Sequence, residues 1–188
     1  MPEDPVNPFN SVKVLAHRDR LAAIMDGRLP PPVTVEIDLA DGFCNHSCPH
    51  CFFATPGKKS PVFFPLERAA SLAEELHEAG VRALEFPGGG EPTTHPEFAG
   101  IIRAFARAGL PMGLVSNGQL ARRVLPVLRL FEWVRVSLDA GDAATYQQAH
   151  GVDQFEAVLA AIGSLAREAA RTTVGVGCGH TPELGVSR

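Results

Sequence analysis

The chain has 188 residues, 45% of them hydrophobic and 20% charged, with a formal charge of −4 and a pI near 6.0. That length suits one domain with a sizeable core, since a chain near 150 residues buries roughly 68–70% of its unfolded surface, and the apolar content excludes wholesale disorder. The weak negative charge gives no long-range field for DNA or anionic lipid, four cysteines are too few for a disulfide scaffold, and no run of about 18 apolar residues offers a membrane span. Met1-Pro2-Glu3-Asp4 opens without a basic region and apolar stretch, so the sequence shows no secretory signal and points to a soluble, cytoplasmic protein.

Residues 1–32 read as an N-terminal helix and a Pro-rich linker. Asn10 and Ser11 can cap a helix running to about Met25, with Val14, Leu21 and Met25 on one face and Gly27 ending it; Pro30-Pro31-Pro32 stiffens the approach to the first strand. Strand and helix patterns then alternate. Val33–Leu39 is rich in β-branched residues with Glu36 and Asp38 interleaved, a strand. An irregular stretch, Asp41 to Phe64, carries three cysteines. Pro65-Leu66-Glu67 opens a helix that stops at Gly80. Further strands are expected at Val81–Phe86, Pro111–Val115, Trp133–Leu138 and Thr172–Val176. Further helices are expected at Pro96–Ala108, Gln119–Leu130, about Ala143–Ala149 and about Phe155–Ala170. Phe131 and Trp133 read as core, Cys178 as a buried thiol, and His17, His77 and His180 as surface or helix residues without a role.

A helix ending in Ala-Gly before an apolar strand recurs, at Glu78-Ala79-Gly80-Val81 and at Arg107-Ala108-Gly109-Leu110. Such alternation implies parallel strands joined by right-handed crossovers. It does not separate an open doubly wound sheet from a curved or closed barrel. In either fold, reactive groups gather at the carboxyl ends of the strands. The unusual residues all fall there: the cysteine loop, Gly88-Gly89-Gly90-Glu91-Pro92, Ser116-Asn117-Gly118 and Ser137-Leu138-Asp139.

Cys44-Asn45-His46-Ser47-Cys48-Pro49-His50-Cys51 packs three thiols into eight residues. Three thiols cannot all pair with one another, and the residues between them are polar and turn-forming, unlike those around buried apolar cysteines. Clustered thiolates repel unless a cation holds them, so a metal or a cluster is the natural occupant. Zinc could take the three sulfurs with His46 or His50. An iron–sulfur cubane held by three cysteines would leave one iron open to a substrate or cofactor. The glycine run is not a phosphate loop, because no Gly-Lys-Ser/Thr follows it, and Gly175-Val176-Gly177-Cys178-Gly179 misses the dinucleotide fingerprint.

Cys-x3-Cys-x2-Cys after the first strand, followed about one βα unit later by Gly-Gly-Glu-Pro after the second, resembles the radical S-adenosylmethionine (SAM) superfamily. The resemblance covers roughly residues 33–178. Val136-Ser137-Leu138-Asp139 is similar to the fourth-strand segment of the group that contains the molybdenum-cofactor cyclase and the SPASM-type peptide-modifying enzymes. The resemblance implies an α/β fold, a partial (β/α) TIM-like barrel of about five βα units with parallel strands. It implies that Cys44, Cys48 and Cys51 hold a [4Fe-4S] cluster and that SAM chelates the fourth iron. Reductive cleavage of SAM would then give a 5′-deoxyadenosyl radical acting on an unknown substrate. Gly88, Gly89, Gly90, Glu91 and Pro92 match the segment that approaches the SAM amino group, where glycines admit backbone carbonyls and an acidic residue favours the positive charge. Ser116 and Asn117 match a polar pair near substrate or cofactor, although the same residues suit a plain Asn-Gly turn. Ser137 matches a position that hydrogen-bonds SAM, and Asp139 follows on the same segment. His150 falls where many relatives carry an arginine that pairs with the SAM carboxylate. His50 takes a position that is commonly aromatic and packs on adenine.

The family core normally has six βα units, whereas this chain reaches about five and closes on an irregular tail, residues 179–188, without the cysteine-rich C-terminal region of SPASM-type enzymes. The uncovered edge after the fifth strand is expected to limit the stability of the isolated chain or to be covered by a partner chain or a dimer. A small-molecule or peptide substrate and an electron donor such as flavodoxin or ferredoxin complete the implied partners. The alternative is a non-catalytic or degenerate metal-binding module, loaded with an iron–sulfur cluster or zinc.

Overall fold

The computed structural model describes residues 15–53 and 61–177. In chain order the elements are α1 (Arg18–Met25), β1 (Thr34–Glu36), β2 (Ala40–Asp41), β3 (Val62–Phe63), α2 (Leu66–Glu78), β4 (Ala83–Phe86), α3 (Phe98–Ala106), β5 (Met112–Ser116), α4 (Ala121–Val124), β6 (Trp133–Ser137), α5 (Ala143–His150), α6 (Phe155–Glu168) and β7 (Thr173–Gly177). Tight 3-10 turns run over Pro92–Thr94 and Leu125–Leu130. Five strands form one sheet in the order β1-β4-β5-β6-β7, and every neighbouring pair is parallel. Each strand adds to the same side of the last, so successive right-handed crossovers lay their helices on one face. A doubly wound sheet would reverse direction midway. The choice left open by the element order is thereby settled: the sheet is an open section of a parallel βα barrel.

Alternation along β4 and β6 turns Leu84, Phe86, Val134 and Val136 toward the helices, where they join Ile101, Ile102, Phe105, Leu128 and Val158 in the core. Phe86 and Phe105 meet with centroids 5.4 Å apart, and each buried aromatic of this kind contributes about 1.5–3 kcal/mol. Gly80 and Gly109 both take left-handed φ, +84° and +71°, which is why the Ala-Gly pattern ends α2 and α3.

Several boundaries differ from the sequence reading. The expected strand Val33–Leu39 is regular only over Thr34–Glu36; Ile37 N still donates to Glu85 O, at 2.9 Å, before the chain turns away. The stretch expected to be irregular contributes a ribbon, β2 paired antiparallel with β3. Two-residue strands are too short to leave an alternating signature. The expected helix Gln119–Leu130 divides into α4 and a 3-10 turn, because Pro126 has no N–H to continue an α-helix. Within the described residues α1 begins at Arg18, with His17 before it; Asn10, Ser11 and Val14 lie outside them. Met25 is 87% exposed and Ala23 is buried instead. The helix is tied down by polar contacts, Arg20 Nη2 to Gly80 O at 2.7 Å and Arg82 to Asp19. Trp133 is half-buried on the inner face of the sheet, where its indole covers Gly113; a Cβ at that glycine would come within 2.2 Å of the ring. Among the described residues β7 pairs only with β6, and its Val176 is 50% exposed. Cys178, His180 and the tail fall outside the described residues. No described helix is long and apolar enough to cross a membrane.

Candidate active site

Parallel strands bring their carboxyl ends to one rim, and there the loops enclose a cleft of about 620 Å³, within the ~300–1,000 Å³ typical of ligand pockets. Cys44, Cys48, His50, Cys51, Gly88, Gly89, Gly90, Glu91, Ser116, Asn117, Ser137, Asp139 and His150 all line it. Pro92 does not; it is buried at the start of the 3-10 turn.

The cysteine loop is held at both ends. Gly42 N donates to Gly89 O (3.1 Å), Glu91 N donates to Phe43 O (2.9 Å), and Ser47 N donates to His150 O (3.0 Å). The glycine run presses against this loop so closely that a Cβ on Gly90 would lie 2.1 Å from Phe43 O, and one on Gly89 would lie 2.7 Å from Asp41 Oδ1. These glycines are therefore required by the chain itself, apart from any ligand they approach. Among the described residues no disulfide joins the three thiols to one another; Cys44 and Cys48 are half-buried and Cys51 is exposed. Burial, followed by the charges of Cys44 and Cys51, pushes the Cys48 thiol up to about 11. Three sulfurs so close together, one of them buried where its charged form is costly, form a donor set that a cationic cluster relieves, so the residues present fit a cluster held by three cysteines.

Glu91 is turned inward. Its Oε1 accepts from Thr93 N (3.1 Å), from the Thr93 hydroxyl and from Ser116 Oγ (2.8 Å), while Oε2 accepts from Asn117 N (2.8 Å). Burial pushes this carboxyl up and the four donors oppose the rise. The carboxylate thus ties the ends of β4 and β5 together, where the sequence reading had it facing an ammonium. Ser116 commits its hydroxyl to the same hub. Asn117 reaches the cysteine loop, its Nδ2 donating to Asn45 Oδ1 at 2.7 Å, and Asn45 in turn bonds Gln119.

His150, near the end of α5, faces Cys48. Its Nε2 donates to Leu138 O at 3.1 Å, because a carbonyl can only accept, which leaves Nδ1 to accept from the Cys48 thiol at 3.4 Å. Asp139 Oδ2 stands 3.6 Å from Nε2. Burial lowers the His150 pKa against the opposing pull of the Leu138 carbonyl and Asp139. Asp139 is the described non-glycine residue with positive φ, +50°, a conformation aspartate tolerates better than most. By sequence His46 stands only as an alternative to His50 for the fourth position of a zinc site. In the structure it is buried beside the cysteines, and its pKa falls to about 4, through burial first and then the charge of His150. The Gln119 side chain lies close enough to oppose that fall without reaching hydrogen-bonding geometry. Tyr146 stacks on the His150 ring and meets His46 edge-on; an aromatic on a helix reads as plain core, and only the fold brings it here.

The fold and the cleft define a parallel βα protein with three thiols at its strand ends. Residues 42–183 match the Radical SAM superfamily, and the chain belongs to that superfamily. It is 32% identical over 127 residues to a GTP 3',8-cyclase of Synechococcus elongatus, covering 63% of this chain and 38% of the relative. It is 25% identical over 150 residues to the mycofactocin maturase MftC of Mycobacterium tuberculosis, covering 78% of this chain and 38% of the relative. The chain thus spans about two fifths of the length of these curated relatives. Among solved structures it is similar to Streptococcus suis SuiB bound to S-adenosylmethionine, with a TM-score of 0.69 at 16% identity over 91% of this chain and 40% of that one. It is also similar to anSMEcpe with bound AdoMet, with a TM-score of 0.62 at 21% identity over 79% of this chain and 43% of that one. At such identities the likeness is one of fold.

Proposed function

We propose that this chain is the cofactor-holding part of a radical SAM enzyme. Cys44, Cys48 and Cys51 ligate a [4Fe-4S] cluster, and SAM sits in the cleft between the Gly88–Glu91 loop and Ser137. The observation that carries the reading is the convergence of three thiols and the glycine run on one cleft. Two of the structural neighbours hold bound SAM. Proteins named as differently as a GTP 3',8-cyclase and a mycofactocin maturase share this stretch, as expected of a part that holds cofactor rather than substrate.

When bound, the cluster and SAM together supply reductive cleavage of the sulfonium to a 5′-deoxyadenosyl radical, which takes a hydrogen atom from the substrate. The chain's own residues position and shield. The Glu91 hub keeps the ends of β4 and β5 in register, and the glycine run buttresses the loop that presents the sulfurs. Asn117, through Asn45, restrains the cysteine loop from the opposite side. Ser137 offers a hydroxyl to the cleft, and His50, at its mouth, offers a ring to stack on adenine. Before a cluster binds, His150 has both ring nitrogens engaged, with Leu138 and Cys48; once Cys48 ligates as a thiolate, the Leu138 bond alone still orients the ring beside the loop. Cys51, on the exposed side, leaves the outer edge open to an electron donor such as flavodoxin or ferredoxin. Reduced thiols suit a reducing compartment, the cytoplasm. A precursor peptide is bound to the neighbour SuiB, so peptides are one substrate class to try.

The test is anaerobic reconstitution with iron and sulfide after chelator treatment, followed by electron paramagnetic resonance of the reduced protein with and without SAM and an assay for deoxyadenosine. Brown protein whose spectrum shifts with SAM, and which forms deoxyadenosine, is the expected result. Protein that takes up no iron overturns the reading. A cluster that responds to SAM without deoxyadenosine formation would instead mark a degenerate member of the family.

A further inference from the structure

At the cysteine loop lies a second donor set that shares only Cys48 with the three-cysteine arrangement. His46, Cys48 and His150 each offer one ligand atom, and these atoms lie within 4.8 Å of one another. His46 is 3% exposed, yet neither of its ring nitrogens has a hydrogen-bond partner among the described residues. A buried imidazole left unsatisfied at both nitrogens is costly, so it calls for an occupant. His150 already has the tautomer a metal ligand needs: Leu138 O takes the Nε2 proton, and the Nδ1 lone pair faces Cys48 Sγ at 3.4 Å. A backbone carbonyl behind a ligating imidazole is a common outer-shell partner of a bound metal. Tyr146 stacks on the His150 ring with centroids 4.3 Å apart and meets His46 edge-on at 6.1 Å, so both imidazoles are walled in.

We propose that His46, Cys48 and His150 form a mononuclear site for zinc or a similar divalent cation, filled when the loop holds no cluster. One thiolate and two imidazoles, with solvent from the cleft as the fourth ligand, suit tetrahedral zinc. The donors must close in by about 1 Å to reach the ~2.0–2.3 Å bonds of such a site. On binding, the Cys48 S–H bond is exchanged for a sulfur–metal bond, the proton leaves to solvent, and no electron moves. Cys48 belongs to both donor sets, so zinc and cubane exclude each other. The mononuclear site forms whether or not the loop can build a cubane.

The test is titration of the reduced, chelator-treated full chain with Co²⁺ or Zn²⁺ alone, with iron and sulfide absent. One equivalent of Co²⁺ should bring thiolate-to-cobalt absorption in the near ultraviolet and intense tetrahedral d–d bands. X-ray absorption of the zinc form should count one sulfur and two imidazoles around the metal. His46→Phe should weaken binding by at least ~10–100-fold, the loss that even an outer-shell change brings. Three sulfurs around zinc, a loss on Cys44→Ala as large as that on Cys48→Ala, or no cobalt spectrum from the wild-type chain would each overturn the proposal. The sulfur count needs no variant, so misfolding of His46→Phe does not blur the outcome. Because no iron is present, failure here is distinct from failure to build a cluster.

Discussion

Replacing Gly90 with alanine asks whether the glycine run is a buttress of the cysteine loop. The new Cβ would lie 2.1 Å from Phe43 O, 2.4 Å from Ala40 O and 2.7 Å from the Phe43 carbonyl carbon. All three are backbone atoms and cannot swing aside, so the loop must retreat by about 1 Å to regain ordinary contact distances. That retreat breaks the Glu91 N to Phe43 O bond and strains Gly42 N to Gly89 O. Overpacking costs about 1–3 kcal/mol and each lost hydrogen bond about 0.5–1.5 kcal/mol, which places the whole near 4 kcal/mol. For a domain of this size, at ~2–4 °C per kcal/mol, Tm should fall by roughly 10 °C. Gly141→Ala is the control, because nothing lies within 4 Å of its added Cβ. Scanning calorimetry of the two variants beside the wild type reads the difference. Since Phe43 precedes Cys44, visible absorption per chain after reconstitution should fall in the same variant. A Gly90→Ala protein that melts within about 2 °C of wild type would refute the buttress.

Glu91→Gln keeps the shape of the hub but sets an amide N–H₂ against a backbone N–H, leaving two buried donors unpaired at about 1–3 kcal/mol each. Relief of the carboxylate's burial offsets part of that, so a net loss of about 2 kcal/mol is expected in urea unfolding, and an unchanged midpoint would contradict the hub. Arg123 donates to Thr93 O (2.7 Å), His95 O (2.7 Å) and Pro96 O (2.6 Å). Arg123→Ala should cost about 2–3 kcal/mol, at least one charge-assisted bond's worth, and Arg123→Lys should recover only part of it; full recovery by lysine would argue against the fork geometry. His95 Nε2 donates to Phe64 O while its Nδ1 accepts from Glu97 N, and burial holds its pKa below the ordinary 6.5. As pH falls through 6.5 the unfolded chain takes this proton first, so His95's contribution to stability is complete above that pH and drains away below it. Proton NMR should find the His95 ring titrating below 6.5, and a value at or above 6.5 would reverse the sign of the effect.

Much of the site was legible before any fold. Three thiols in eight residues, polar spacers between them and a Gly-Gly-Glu-Pro run one βα unit later are local patterns, and the parallel-strand rule alone carries them to one rim. Elements with a strong period, such as α2 and α6, were likewise readable, and errors fell where the period is short or interrupted, at β2, β3 and Pro126. Direction and neighbourhood stayed hidden. An acidic residue beside glycines reads as facing a ligand, yet Glu91 turns inward because the donors that satisfy it, on Thr93, Ser116 and Asn117, converge only when β5 lies beside β4. His46 and His150 stand 104 positions apart in the chain, and nothing local announces that α5 brings their rings to 5.4 Å. The residues themselves determined which groups could do chemistry and at which strand ends they would stand, because side-chain chemistry and βα periodicity are encoded within a few positions. The order of strands, the inward turn of Glu91 and the meeting of two imidazoles at one thiol were decided by long-range packing, whose energy arises between segments that have no pattern in common.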